Sequence, residues 1–201
     1  MTFAEYRFLV YSDLYRSTGR IGLGVLCRQV LTGGTYKFTF WWRTCGYART
    51  HRLLRYTVYP LARLLLHRLT YRQGISLPIG TRIGSGFYIA HFGGIVVNGA
   101  SVLGRNCDIS QGVTLGQANR GRNRGVPTIG DNVYIGPGAK IVGAVRIGNN
   151  VAIGANCVVT RDVPDDAVVV GVPGRVISSA GSAGYIDRTD YAEKIGRGRP
   201  A

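Results

Sequence analysis

Residues 129–160 read "IGDNVYIGPGAKIVGAVRIGNNVAIGANCVVT", and an isoleucine or valine returns at every sixth position: Ile129, Ile135, Ile141, Ile147, Ile153 and Val159. A period of six fits neither an α-helix, whose apolar positions recur every three or four residues, nor a simple alternating strand. It fits short strands joined by sharp corners, each hexad forming one face of a coil whose anchors point inward. Four places after each anchor stands a small or β-branched residue (Val133, Ala139, Val145, Val151, Cys157, Val163), and glycine follows at Gly130, Gly136, Gly148 and Gly154. Glycine and asparagine suit corners where φ turns positive.

The pattern extends upstream. Anchors stand at Leu77, Ile83, Ile89 and Ile95, resume after two extra residues at Leu103, Ile109 and Leu115, and reach Ile129 after eight more, which makes 13 hexads. Three hexads close a coil, so the chain predicts about four coils. At one strand spacing per coil the stack is about 20 Å tall. The fold class expected is mainly β with an α-helical N-terminal part: a parallel β-helix over residues 76–178.

Residues 1–75 have another texture, rich in Tyr, Trp, Leu and Arg. "AEYRFLVYSDLYR" predicts an amphipathic helix with an apolar face near Phe8, Tyr11 and Tyr15, and a second helix is expected over residues 20–31. "TYKFTFWWRTCGY" fits strand or helix, with the helical context favouring helix. "HRLLRYTVYPLARLLLHRLTYRQ" predicts a helix with Leu53, Leu54, Val58, Leu61, Leu64 and Leu65 on its apolar side and a kink at Pro60. Residues 179–201, opening on "SSAGSAG", read as a flexible polar tail.

The composition, 45% hydrophobic, supports a packed core and excludes disorder. Cys27, Cys45, Cys107 and Cys157 form no CxxC pair and read as small apolar fillers, neither a disulfide framework nor a metal site. No signal peptide or run of about 18 apolar residues is evident, so a cytoplasmic location is expected. The net charge of +15 is concentrated in residues 1–75, which carry 12 Lys/Arg against Glu5 and Asp13. No nucleic-acid motif accompanies it. A basic, aromatic and leucine-rich segment suits peripheral contact with an anionic membrane.

Candidate chemistry centres on "YIAHFGGI", residues 88–95. His91 is the one histidine in the repeat, beside Gly93 and Gly94. An imidazole titrating near neutrality suits a general base that takes a proton from an attacking hydroxyl. Glycine-rich backbone supplies N–H groups for a tetrahedral oxyanion. Three histidine ligands, as a metal-dependent β-helix hydratase would need, are lacking, so no metal is expected.

The hexads, "FYIAHFGGIVVNG" (87–99), "SQGVTLGQ" (110–117) and the helical N-terminus resemble the serine acetyltransferase family of hexapeptide-repeat acyltransferases, over roughly residues 72–178. The resemblance implies a left-handed parallel β-helix, a homotrimer, acetyl-CoA as co-substrate bound between neighbouring subunits, and His91 as the catalytic base. It carries CoA binding to Gly116, Gln117, Pro137, Gly138 and Ala155; Lys140 and Arg175 are candidates for the CoA phosphates. The chain departs from the serine-specific pattern at Ser76, Ala90, Gly125 and Val126, where that pattern has acidic residues and an Arg-His pair. Those losses, with Arg120, Arg122 and Arg124 as candidate contacts to an anionic acceptor, point to a saccharide hydroxyl in surface-polysaccharide biosynthesis. A serine O-acetyltransferase of cysteine biosynthesis is the alternative enzyme, and a non-catalytic β-helix scaffold the alternative outside catalysis.

Overall fold

The structure, a computed structural model, describes residues 1–197. Four helices come first: α1 (Phe3–Thr18), α2 (Leu23–Thr32), α3 (Tyr36–Ala48) and α4 (Arg52–Gln73), and α5 (Tyr191–Arg197) comes last. Helix α1 starts on a capping box, the Thr2 hydroxyl accepting from Glu5 N at 3.2 Å while the Glu5 carboxylate accepts from Thr2 N at 2.7 Å. Helix α4 runs through Pro60 as one element.

Between α4 and α5 the chain winds into a left-handed parallel β-helix with three faces. Face one stacks Ile75–Ser76, Ile95–Val97, Thr114–Gly116, Lys140–Val142 and Val158–Val159. Face two stacks Arg82–Ile83, Val102–Leu103, Thr128–Ile129 and Arg146–Ile147; face three stacks Tyr88–Ile89, Asp108–Ile109, Tyr134–Ile135, Ala152–Ile153 and Val168–Val170. Arg175–Ser178 caps face three as an antiparallel strand. The register pairs anchor with anchor: Ile83 with Leu103, Leu103 with Ile129, Ile129 with Ile147. All 13 anchors are buried, and most continue into one core with Phe38, Trp42, Cys45, Ala62 and Leu66 of the helices.

The register corrects one sequence count. Val97, not Ile95, pairs with Leu115, while Ile95 pairs with Ile75 below it. The two extra residues of the first coil therefore lie before Ile95. Gly112 N donates to Gly93 O at 2.7 Å, as Gly138 N does to Gln111 O at 2.8 Å one coil higher, so Gly93 occupies the position of Gln111. Ile89 pairs with Ile109 on the other side of the corner. The residues left over are His91 and Phe92. The corner just beyond them repeats its conformation in every coil, with φ of 63° at Gly94, 72° at Gly112, 73° at Gly138 and 54° at Asn156.

Two buried ion pairs fasten the helices to the first two coils. Arg43 of α3 meets Asp13 of α1 at 2.9 Å and donates to Ile83 O at 2.8 Å and Gly84 O at 2.6 Å. Asp13 also accepts from Phe87 N at 2.8 Å. Arg16 of α1 pairs with Asp108 and donates to Gly86 O at 3.3 Å. Burial pushes both carboxyls up, Asp108 to about 6, while the arginines pull them back. The buried side of α1 is thus Val10, Ser12, Asp13, Leu14 and Arg16; Phe8, Tyr11 and Tyr15 are half-buried.

Three expectations need correction. Residues 179–197 are no loose tail: Tyr191 is buried, its hydroxyl 2.9 Å from Ser85 Oγ and donating to Asn106 Oδ1 at 2.9 Å, and Arg16 reaches Asp187. Residues 198–201 lie outside the described residues. Cys27 is exposed, unlike the other three cysteines. Of the predicted apolar side of α4, Leu53, Val58, Leu61 and Leu64 are exposed and Leu54 and Leu65 half-buried, while Ala62 and Leu66 face the core.

A buried charge stripped of its partner is costly, so Arg43→Met is expected to destabilise the protein by about 3–5 kcal/mol. Asp13→Asn/Arg43→Met is expected to lose clearly less. Urea unfolding of both variants checks this; equal losses would show that the arginine's packing, not its charge, is what matters.

Candidate functional site

The insertion sets His91 outside the coil. The ladder on face three ends with Ala90 N donating to Ile109 O at 3.0 Å and resumes beyond the corner with Ile95 N donating to Gly74 O at 3.0 Å. Two residues too many for the corner have nowhere to go but outward, and both His91 and Phe92 are exposed, Phe92 by 52%. Thr35, at the start of α3, donates from its hydroxyl to Ile89 O at 2.7 Å. That bond brings Gly34, Thr35 and Tyr36 to the bulge. With Ser17, Ala90, His91 and Phe92 they line a cavity of about 340 Å³. Among the described residues no side chain hydrogen-bonds the His91 ring, so no carboxylate orients it within the chain.

Above the bulge the same corner repeats. Gln111, Pro137 and Ala155 stack in register, each two residues past its anchor, with Gly138 N bonded to Gln111 O and Asn156 N to Pro137 O, both at 2.8 Å. The column rises about 10 Å from Gln111 to Ala155. Lys140 stands beside it, donating to Gly112 O and to Thr114 Oγ1 at 3.2 Å. Arg175 lies in the strand that caps the same face. Four predicted residues, Pro137, Gly138, Ala155 and Lys140, are therefore gathered along the corner that carries His91, with Arg175 at its upper end.

The remaining predicted residues lie elsewhere in the chain. Gly116 ends its strand on face one, and Gln117 opens the loop to face two, its Nε2 donating to Asn119 Oδ1 at 2.8 Å. That loop holds the eight extra residues. It is closed by paired Ala118 and Gly125 backbone bonds of 2.9 and 3.0 Å and tied down by Asn123 Nδ2 donating to Thr160 O at 2.8 Å. Arg120, Arg122 and Arg124 are exposed on it. They sit at the next corner of the triangle, and a single chain does not bring them to His91.

Gln111 is missing from the sequence reading. Its Oε1 is buried without a partner among the described residues. Counting two residues past each anchor, the step that reaches His91, Pro137 and Ala155, would have found it. The cysteines offer no nucleophile here: burial pushes Cys107 up to about 12 and raises Cys157 as well.

A three-faced β-helix of hexads with a lone histidine at a bulged corner defines a hexapeptide-repeat transferase fold, and the family model for bacterial transferase hexapeptide (six repeats) matches residues 127–161. The serine acetyltransferase of Synechococcus elongatus is 41% identical over 143 residues, 71% of this chain and 58% of that protein. That of Staphylococcus aureus is 40% identical over 131 residues, 65% of this chain and 62% of that protein. Among solved structures, Neisseria gonorrhoeae serine acetyltransferase in complex with serine superposes with a TM-score of 0.69 at 32% identity, covering 88% of this chain and 70% of that one. The Brucella abortus enzyme in complex with coenzyme A gives a TM-score of 0.72 at 28% identity, covering 89% and 70%. The chain belongs to the serine acetyltransferase family. It spans about three-fifths of the length of the curated relatives it matches.

The expectation of a saccharide acceptor in surface-polysaccharide biosynthesis is thereby overturned. Relatives 40–41% identical are serine acetyltransferases, and one structural neighbour was solved with serine. Four changed side chains, at Ser76, Ala90, Gly125 and Val126, do not outweigh similarity along most of the chain.

If His91 and Phe92 are surplus to the coil, deleting both restores a regular corner. The deletion variant is expected to stay folded, within about 1 kcal/mol of the parent, since shortening an exposed loop changes closure entropy little. Thermal and urea unfolding check this; a collapse in stability would mean that the bulge is part of the packing.

Proposed function

We propose that this protein transfers the acetyl group of acetyl-CoA to the side-chain hydroxyl of L-serine. His91 takes the hydroxyl proton as the oxygen attacks the thioester carbonyl, the C–S bond breaks, and the proton passes to the departing CoA sulfur. The glycine-rich turn at Gly93 and Gly94 supplies backbone N–H groups for the oxyanion. No enzyme nucleophile is needed, in keeping with Cys107 and Cys157 of the β-helix held protonated by burial. The observation that carries this reading is the similarity, over 88% of the chain, to a serine acetyltransferase solved with serine.

The column Gln111–Pro137–Ala155 offers CoA a backbone track leading from His91 towards Arg175, with Gly138 and Lys140 beside it. Gly116, Gln117 and the arginine loop belong to the same site if a second copy presents them. Two half-sites on different corners of one triangle come together when copies pack around a three-fold axis, and a homotrimer is part of the proposal. In that arrangement Arg124, one residue before the position where serine-specific relatives carry an arginine, meets the serine carboxylate. Arg120 and Arg122 lie further out on the loop as additional anion contacts.

Serine-dependent release of CoA thiol from acetyl-CoA tests the reaction. His91→Ala is expected to lower the rate by about 10²–10⁴-fold. A folded protein that releases no thiol with serine, or equal rates for both forms, would remove the proposal. Arg124→Gln is expected to raise KM for serine by about tenfold or more and to leave KM for acetyl-CoA unchanged. An unchanged KM for serine would take Arg124 out of the site.

A further inference from the structure

Helix α4 is held on one side only. Ala62, Leu66 and Gln73 are buried, and Tyr59 and Leu69 pack partly against the core. The other side is open, and it is not simply polar. Leu53, Leu64 and Tyr71 are 74%, 49% and 75% exposed. They recur at about three and five whole turns, so they make one row along a helix about 33 Å long. Tyr56 and Leu61 widen the row and are likewise exposed. By the same helical geometry Arg63 and His67 flank it on one side, Arg68 and Arg72 on the other. The helix holds five arginines and no acidic residue.

An apolar row edged on both sides by arginine matches the boundary of a lipid bilayer. The leucines and tyrosines enter the acyl margin, and the guanidinium groups lie level with the phosphates. We infer that the open face of α4 is a docking surface for an anionic lipid bilayer. Charge selects this occupant over a second copy of the chain. Two α4 faces laid together would oppose arginines to arginines, with no carboxylate from either helix between them. Asp162, Asp165 and Asp166 belong to the last coil, where they accept hydrogen bonds from Arg146 N, Asn149 N and Asn150 Nδ2. No described helix is long and apolar enough to cross a membrane, so the contact is peripheral. Gln73, at the end of α4, donates to Gly34 O at 2.9 Å, and Gly34 lines the His91 cavity. The docked helix therefore ends beside the site. The inference stands on the α4 surface alone and does not depend on the acceptor.

Flotation of the full chain with phosphatidylcholine vesicles, with and without about 30 mol % phosphatidylglycerol, tests it. The protein is expected to float with the anionic vesicles at about 50 mM salt and to remain in solution with the neutral ones. Leu53→Ser/Leu64→Ser and Arg63→Gln/Arg68→Gln are each expected to cut the bound fraction about tenfold, with helix content and thiol release unchanged. No flotation with anionic vesicles would overturn the inference. So would flotation indifferent to both double variants. A fall in oligomeric mass by light scattering on Leu53→Ser/Leu64→Ser would assign the face to a second copy instead, and binding to duplex DNA but not to vesicles would assign it to nucleic acid.

Discussion

Each strand of the β-helix is two to four residues long, so no strand holds itself together. The backbone groups of every coil are satisfied by the coils above and below, and that stacking is the constraint on which the molecule depends. It fixes six residues per face and tolerates extra ones only at corners, where they must turn outward. The chain exceeds the count at two corners. One break throws out His91 and Phe92, the other makes the loop carrying Arg120, Arg122 and Arg124. Candidate chemistry sits where the ladder cannot absorb the chain, which is also where side chains are free to meet a ligand.

The helices complete the bulged corner. Thr35 fixes the start of α3 against Ile89, and the pairs Asp13–Arg43 and Arg16–Asp108 clamp α1 and α3 to the first two coils. Buried pairs of this kind add little net stability, because desolvation offsets attraction. Here each arginine also satisfies backbone carbonyls of the coil, Arg16 at Gly86 and Arg43 at Ile83 and Gly84, giving the helices one register on the β-helix. A purely apolar contact would hold them as firmly and define their position less.

The β-helix was legible because its signal is repeated: thirteen anchors and a glycine beside many of them leave few other readings. The same repetition hid the position of the first insertion. Ile95 continues the count from Ile89, and only pairing across coils shows that Val97 is the true partner of Leu115. In α1 the sequence offers aromatic residues for the buried face, yet Asp13 and Arg16 lie inside, since each has a distant partner that local periodicity cannot reveal. In α4 the leucine spacing implied a packed stripe, whereas the core selected the smaller Ala62 beside Leu66. The packed C-terminal segment was missed for the same reason: Tyr191 is held by Ser85 and Asn106, far away in sequence. His91 was readable from its isolation among hexads. The acceptor was not legible in single positions: the charges missing at Ser76, Ala90, Gly125 and Val126 point away from serine, while the length of chain that resembles serine acetyltransferases points towards it.

The account centres on the bulged corner as the reacting end of a CoA track. A crystal structure of the protein with coenzyme A tests this most directly. The account predicts the CoA sulfur within about 4 Å of the His91 ring, the pantetheine arm along Gln111, Pro137 and Ala155, and the nucleotide end towards Arg175. Coenzyme A bound on another face of the β-helix, or with its sulfur remote from His91 in every subunit, would contradict it.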